Sequence, residues 1–180
     1  MGCDPGGTRT NSTQFKSMKK MIIGVMGPGA GATKIDLEYA YQLGQLIAKN
    51  GWVLLTGGRA SGVMEAANQG AKAAGGLTLG ILPNDDLTGA SAAVDLKIVT
   101  NLGNARNAIN VLSSEIVIAC GMGAGTASEV ALALKEQKQV ILLNQTSESQ
   151  AFFQQLAPEQ IKIVQTPEAA IQIVQEQYSH

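Results

Sequence analysis

The sequence is poor in aromatic residues, histidine and cysteine. Aromatic residues make up only 4% of the 180 residues, so Val, Ile, Leu and Ala must build the core within a hydrophobic fraction of 45%. The only histidine of the sequence is His180, which excludes Ser-His and Cys-His nucleophile systems. The two cysteines, Cys3 and Cys120, have neither disulfide-framework nor metal-ligand spacing. They fit a reducing, cytoplasmic compartment, and Cys120 is expected to be a buried thiol at the end of a strand.

Long apolar runs and basic clusters are absent as well. No apolar segment of the sequence approaches the roughly 18–20 residues that a membrane-spanning helix needs. The formal net charge is −1, and no run of Lys and Arg is long enough to neutralise several nucleic-acid phosphates. We therefore expect a protein that binds neither membranes nor nucleic acids.

The beginning of the chain differs in composition from the rest. Residues 1–17 are polar, and a second methionine, Met18, stands just before the first apolar segment. We interpret residues 1–17 as a flexible leader or a purification tag. Residues 18–180 contain no linker or repeat and are long enough for a single ligand-binding domain with a substantial core.

Short apolar segments alternate with segments of helical periodicity along these residues. Apolar segments without polar alternation are typical of parallel strands that are covered on both faces. The predicted strands are 21–26, 52–56, 77–82, 96–99, 115–120, 140–143 and 161–164, and the predicted helices are 34–50, 62–74, 103–114, 126–137, 147–156 and 167–178. We predict an α/β fold, a doubly wound, Rossmann-like parallel sheet of about 6–7 strands with helices on both faces.

Four glycine-rich turns follow predicted strands, at 27–32, 56–64, 101–107 and 121–126. Glycine lets backbone N–H groups approach an anion, and a helix that begins there adds its positive N-terminal end. Ligands of doubly wound folds bind beyond the carboxyl ends of the strands. Several such turns at consecutive strand ends therefore predict one phosphate-binding crevice.

The first turn alone matches a loose dinucleotide-binding pattern, with Gly27, Gly29 and Ala32 at its positions. NAD binding also requires an acidic residue after the second strand, where this chain has Thr-Gly-Gly-Arg ending in Arg59. An NADP site stays open as an alternative, and so does a purely structural role for these glycines. The Walker pattern is excluded, because no Gly-Lys-Ser/Thr closes any of the turns.

The later turns contribute side chains that suit an anion. Arg59 is interpreted as a phosphate clamp, with a solvated loop charge as the alternative. Arg106 lies near a helix start, where its charge is unfavourable unless an anion or an ion pair with Glu129 offsets it. Thr126 and Glu129 have the spacing of a capping box, which does not explain the three glycines before them. We predict capping and anion binding together at this helix.

The predicted ligand-binding residues all belong to these turns or to the helix starts behind them. They are Gly27, Gly29, Ala30, Gly31, Gly57, Gly58, Arg59, Gly62, Val63, Arg106, Asn107, Gly121, Met122, Gly123, Ala124, Gly125, Thr126, Ser128 and Glu129. No cluster has the composition of a metal site. We predict no catalytic residues, and Arg106 with Glu129 is the one pair to consider if the protein is an enzyme.

The combination of motifs resembles the molybdenum cofactor carrier proteins, relatives of the cytokinin-activating, lysine-decarboxylase-like phosphoribohydrolases. The resemblance spans about 22–144 and rests on the glycine turns, on Ala-Arg-Asn at 105–107 and on Gly-Ala-Gly-Thr-Ala-Ser-Glu at 123–129. The hydrolases carry Pro-Gly-Gly-x-Gly-Thr-x-x-Glu. This chain has Gly121 in place of the proline and Met122 in place of the first motif glycine, which favours the carrier branch.

The resemblance implies a protein that binds, protects and delivers the molybdenum cofactor, or molybdopterin, a pterin dithiolene with a terminal phosphate. It also implies a homo-oligomer, a dimer or tetramer, and transfer of the cofactor to molybdoenzymes. Two alternatives stay open. One is a phosphoribohydrolase for nucleoside 5′-monophosphates, in which Arg106 positions the substrate and Glu129 acts in catalysis. The other is a nucleotide-sensing module without chemistry.

Overall fold

A computed structural model describes residues 20–178 of the chain, in which strands and helices alternate. The strands are β1 (Ile22–Met26), β2 (Val53–Thr56), β3 (Leu77–Leu82), β4 (Leu96–Val99), β5 (Ile116–Cys120), β6 (Val140–Leu143) and β7 (Ile161–Val164). The helices are α1 (Lys34–Lys49), α2 (Gly62–Ala73), α3 (Asn107–Ser113), α4 (Ala124–Lys135), α5 (Ser147–Leu156) and α6 (Pro167–Tyr178). The leader proposed at 1–17 and His180 lie outside the described residues.

The strands form one seven-stranded sheet in the order β4-β3-β2-β1-β5-β6-β7, and every pair is parallel. From β1 the strands proceed outward to β4, and the chain then returns to place β5 on the other side of β1. This reversal between β1 and β5 is a topological switch point, where the turns after neighbouring strands diverge and leave a crevice. The predicted doubly wound α/β fold is confirmed.

The two faces of the sheet carry different helices. Helices α1, α2 and α6 pack on one face with Ile116 and Ile118 of β5, whereas α3, α4 and α5 pack on the other with Val117 and Ala119. Successive residues of a strand point to opposite faces, so β5 needs apolar residues at every position. Its five residues are all buried. Within residues 20–178, none of the helices is both long and apolar enough to cross a bilayer.

The structure corrects two predicted helix starts: Gly103–Arg106 form a short 3-10 helix, so α3 begins only at Asn107, and α4 begins earlier than predicted. Helix α4 begins at Ala124, with Gly123 as N-cap and no side-chain cap, so the predicted capping box of Thr126 and Glu129 is wrong. Thr126 is instead the third helical residue. The capping box of this structure lies at α1, where Thr33 accepts a hydrogen bond from the backbone of Asp36 and the Asp36 carboxylate accepts one from the backbone of Thr33. The uncapped start of α4 matters because its backbone donors stay available.

Candidate functional site

A cavity of about 340 Å³ lies at the switch point, beyond the carboxyl ends of β1, β2 and β5. All four glycine-rich turns contribute to its wall. We call it the anion cavity. It is lined by Val25, Met26, Gly27, Pro28, Gly29, Gly31, Gly57, Arg59, Met64, Asn104, Arg106, Asn107, Met122, Gly123, Ala124, Gly125, Thr126 and Glu129.

Most of the predicted site residues line the anion cavity, and six do not: Ala30, Gly58, Gly62, Val63, Gly121 and Ser128. Several of these hold the turns in place. A Cβ at Gly62 would lie 2.1 Å from the carbonyl oxygen of Gly29, and the N–H of Val63 donates to Pro28 at 3.0 Å. Close backbone packing therefore fixes the first turn against the start of α2. Ser128 joins α3 to α4, because it accepts a hydrogen bond from Asn107 at 3.0 Å.

The start of α4 presents unused hydrogen-bond donors to the cavity. The backbone N–H groups of Ala124 and Gly125 make no hydrogen bond within the described part of the chain. The hydroxyl of Thr126 is buried there and also has no partner. A Cβ at Gly125 would meet nothing within 4 Å, so the backbone faces open space. Free N–H groups at the positive end of a helix suit an oxyanion.

Two arginines bring positive charge to the same cavity. Arg106 is 8% exposed, and its Nη1 donates to Asn107 Oδ1 at 2.7 Å. Its Nε is buried and has no hydrogen-bond partner among the described residues. Arg59 is exposed at the cavity wall. A buried guanidinium with an unused N–H group has the geometry of an anion clamp.

The predicted ion pair between Arg106 and Glu129 is present. Arg106 Nη1 lies 3.6 Å from Glu129 Oε1, and Asn110 Nδ2 donates to the same carboxylate oxygen at 2.8 Å. Burial raises the pKa of Glu129, although the Asn110 hydrogen bond and the charge of Arg106 oppose this shift. Burial likewise lowers the pKa of Arg106, an effect that Glu129 opposes and Arg59 reinforces. The cavity thus holds two cationic groups and one carboxylate that partly offsets them.

Cys120 lies outside the cavity lining. Its side chain is fully buried, and Sγ donates to the carbonyl oxygen of Asp36 at 3.5 Å. Burial raises the pKa of its thiol to about 12, so it stays protonated at neutral pH. The expected role of a buried core thiol is confirmed. Across residues 20–178, no group of His, Cys, Asp and Glu has the arrangement of a metal site.

Sequence reasoning missed five lining residues: Val25, Met26, Pro28, Met64 and Asn104. Pro28, Met64 and Asn104 lie in the predicted turns, and Val25 and Met26 are the last two residues of β1 before the first turn, so proximity to the turns was the available signal. Met64 and Met122, both partly exposed, add thioether side chains to the lining, whereas the side chain of Met26 is buried in the core. Thioethers are polarizable and pack against flat rings. Thus the cavity combines cationic and N–H donors with soft apolar surface.

A family model and a relative from another organism each match most of the chain. The model of the SLOG cluster4 family matches residues 20–171. An uncharacterized protein of Archaeoglobus fulgidus is 43% identical over 155 residues, which are 86% of this chain and 94% of that protein.

Two solved structures are also similar. The molybdenum cofactor binding protein from the phototrophic bacterium Rippkaea orientalis is 63% identical, with a TM-score of 0.87 over 89% of this chain and 98% of that one. The molybdenum cofactor carrier protein from Chlamydomonas reinhardtii is 49% identical, with a TM-score of 0.86 over 90% of this chain and 100% of that one.

Proposed function

The chain belongs to the SLOG cluster4 family, and we propose that it binds, protects and delivers the molybdenum cofactor. The observation that carries the proposal is the anion cavity, in which the free N–H groups of α4 meet Arg59 and Arg106. The molybdenum cofactor presents a terminal phosphate to such a site. The similarity to proteins described as binding and carrying this cofactor supports the same function.

The donor set fits a phosphate group. The backbone N–H groups of Ala124 and Gly125 and the hydroxyl of Thr126 would donate to phosphate oxygens. Arg106 would add its unused Nε–H, and Arg59 would close over the exposed side. The thioethers of the cavity wall would pack against the pterin and dithiolene part of the cargo.

Carriage also requires release, and Glu129 suits that requirement. Its carboxylate stands 3.6 Å from Arg106, inside the cavity that receives the phosphate. An incoming anion gains attraction from Arg106 but is repelled by Glu129, so the net binding free energy is smaller than two arginines alone would give. We propose that this balance keeps the cargo exchangeable.

We further propose the setting in which this binding takes place. Residues 18–180 form one ligand-binding domain, which assembles into a cytoplasmic homo-oligomer and transfers its cargo to molybdoenzymes. The small net charge of −1 and the lack of a basic cluster speak against nucleic acid as a partner.

A phosphoribohydrolase activity is the second candidate, favoured by one observation. Glu129 is a buried carboxyl of raised pKa beside Arg106, an arrangement suited to acid catalysis on a nucleoside monophosphate. Incubation with adenosine monophosphate separates the two functions. The carrier proposal predicts no release of adenine, whereas release that the Glu129→Gln variant abolishes would establish the hydrolase.

Equilibrium binding of isolated molybdenum cofactor under anaerobic conditions tests the carrier proposal. We expect binding at micromolar or lower concentration, and at least about tenfold weaker binding by Arg59→Ala, because one charge-assisted contact is lost. Lys135→Ala is the matched control, since Lys135 is an exposed cation at the far end of α4. Binding no tighter than that of an unrelated protein would contradict the proposal.

A further inference from the structure

A second cavity of about 310 Å³ lies beside the anion cavity on the same edge of the sheet. Gly31 and Met122 line both cavities, so the two are neighbours with a shared wall. Its other walls come from the start of α1 and from the turn between β6 and α5. We call it the acceptor pocket and define it by Thr33, Asp36, Asn144, Gln145 and Thr146.

The charge of the acceptor pocket differs from that of the anion cavity. Its lining contains no Lys or Arg, and its one charged residue is Asp36. The Asp36 side chain is deeply buried, at 3% exposure. An anion is therefore disfavoured here, and a group that donates hydrogen bonds is favoured.

The polar side chains of the pocket direct their donors into the protein. Gln145 Nε2 donates to the carbonyl oxygens of Ala119, Gly121 and Leu143 at 2.8–3.1 Å. This fixes the orientation of the amide, and its Oε1 is left buried without a partner among the described residues. A buried acceptor without a partner costs free energy that a donor from a ligand can recover.

Three neighbouring side chains of the pocket also donate hydrogen bonds to other atoms of the protein. Asn144 Nδ2 donates to Asp36 Oδ1 at 2.7 Å, and the hydroxyl of Thr33 donates to Asp36 Oδ2 at 2.8 Å. The Thr146 hydroxyl donates to Ser149 at 3.3 Å. What remains for a ligand is mainly the spare acceptor capacity of Asp36, Asn144 and Gln145, together with the second N–H of the Asn144 amide.

We propose that the acceptor pocket binds the 2-amino-4-oxopyrimidine edge of the cargo's pterin while the anion cavity holds the phosphate. This inference rests on the proposed function and assigns the other end of the same ligand. That edge places an amino group next to a ring N–H, two adjacent donors for the acceptors of Asp36 and Gln145. In adenine a ring nitrogen that accepts hydrogen bonds stands beside the amino group, so it would face the acceptors of the pocket. Guanine has an amino group beside a ring N–H, as the pterin does.

The test uses 6-hydroxymethylpterin, which lacks both phosphate and molybdenum, and follows its fluorescence as it is titrated with the whole protein. Asp36→Asn exchanges one acceptor oxygen for an amino donor with little change in shape. We expect its dissociation constant for the pterin to rise at least about tenfold. Glu148→Gln is the matched control, because it removes an exposed carboxylate two residues beyond Thr146. It should leave pterin binding unchanged.

Inorganic phosphate, measured by calorimetry, reports on the anion cavity separately. Asp36→Asn should bind phosphate as the unchanged protein does, and Arg59→Ala should lose phosphate affinity but not pterin affinity. If Asp36→Asn binds neither phosphate nor the pterin, the Asn144→Gly variant shows whether a pterin contact or the fold was lost. Asn144 has a φ of +53°, which glycine adopts without strain. This variant should weaken pterin binding alone, and loss of both ligands again would overturn the inference.

Nucleotide competition completes the test. Guanosine monophosphate should displace the pterin at least about tenfold more effectively than adenosine monophosphate, and equal displacement would overturn the inference. If the protein binds molybdenum cofactor but Asp36→Asn binds the pterin normally, the pterin assignment fails and the proposed function stands. If pterin binding depends on Asp36 but molybdenum cofactor does not bind, the proposed function fails instead.

Discussion

At the residue scale, the position of the Arg106 charge depends on the lack of a side chain at Gly57. A Cβ at Gly57 would lie 2.6 Å from Nη2 of Arg106 and 2.7 Å from Sδ of Met64. Both atoms are ends of flexible side chains. A methyl group at this position would therefore displace the guanidinium without unfolding the protein.

The Gly57→Ala variant should consequently bind anions more weakly. We expect the dissociation constant for phosphate or for molybdenum cofactor to rise about three- to tenfold, because Arg106 is moved from the cavity. Gly51→Ala is the control for destabilisation. Gly51 has a φ of +72° and open space around it, so alanine there strains the backbone far from the cavity.

Titration calorimetry and thermal unfolding of the two variants provide the readout. Gly57→Ala should lose affinity with little change in midpoint temperature, and Gly51→Ala should show the reverse. Equal phosphate affinities in both variants would contradict the role assigned to Gly57.

Glu129 predicts a pH dependence of stability. Burial raises the pKa of Glu129 in the folded protein above its value of about 4.3 in the unfolded chain. The favourable contribution of Glu129 to the free energy of unfolding is therefore complete below about pH 4.3 and is lost as the pH rises through the folded-state pKa. Glu129→Gln removes this titration and keeps an acceptor for Asn110. From pH 4 toward neutrality, the unfolding free energy of the unchanged protein should therefore fall relative to the variant. Urea unfolding at several pH values measures the difference, and a difference independent of pH would refute it.

The sequence predicted which residues belong to the site better than it predicted which residues contact one another. Arg59, Arg106, Thr126 and Glu129 were identified because each has a charged or hydroxyl side chain and lies in a glycine turn or in the helix start behind it. The role of Asp36 was not foreseen, since its side chain meets Asn144, which is 108 residues away in sequence. Nothing in the local pattern of α1 indicates that contact.

At the element scale, the start of α4 decides what the cavity can bind. A side-chain cap would occupy the N–H group of the second or third helical residue, and the structure has Gly123 at the cap position instead. The prediction of a capping box failed because Thr126 and Glu129 have the right spacing, but Thr126 lies three residues beyond the N-cap, Gly123, where a capping box has to begin. The free donors could therefore be inferred only in part from the sequence.

Ala124→Pro isolates the contribution of one backbone donor. Proline is tolerated at the first helical position, and Gly123 has the extended conformation, with φ −150° and ψ 171°, that a residue before proline needs. We expect helix content and thermal midpoint to stay near those of the unchanged protein and phosphate affinity to fall about fivefold. Circular dichroism and calorimetry measure both. Unchanged affinity in a folded variant would show that this N–H group does not contact the anion.

At the scale of the whole molecule, topology assembles the site. The apolar segments predicted the strands and their parallel arrangement, since a buried strand needs apolar residues on both faces. They did not predict that β5 lies beside β1, because strand order depends on long-range pairing. That neighbourhood brings the turns after β1 and β5 together, and with them the anion cavity and the acceptor pocket.

The proposed single domain has a direct consequence for a shortened chain. A protein of residues 18–180 should unfold in one cooperative transition and bind molybdenum cofactor as the full chain does, because the two cavities are lined by residues between Val25 and Thr146. Denaturant unfolding monitored by tryptophan fluorescence and by circular dichroism should give coincident curves. Two separate transitions would contradict the domain assignment.

Protection of the molybdenum cofactor in air is the measurement that distinguishes a carrier of this cofactor from an unrelated protein. Isolated cofactor is exposed to air with the protein, with Arg59→Ala, or with an unrelated protein, and the surviving fraction is read out by reconstitution of a cofactor-free molybdoenzyme. We expect the cofactor to survive several-fold longer with the unchanged protein than with either of the others, and the enzyme to regain activity. Equal survival in all three samples would contradict it.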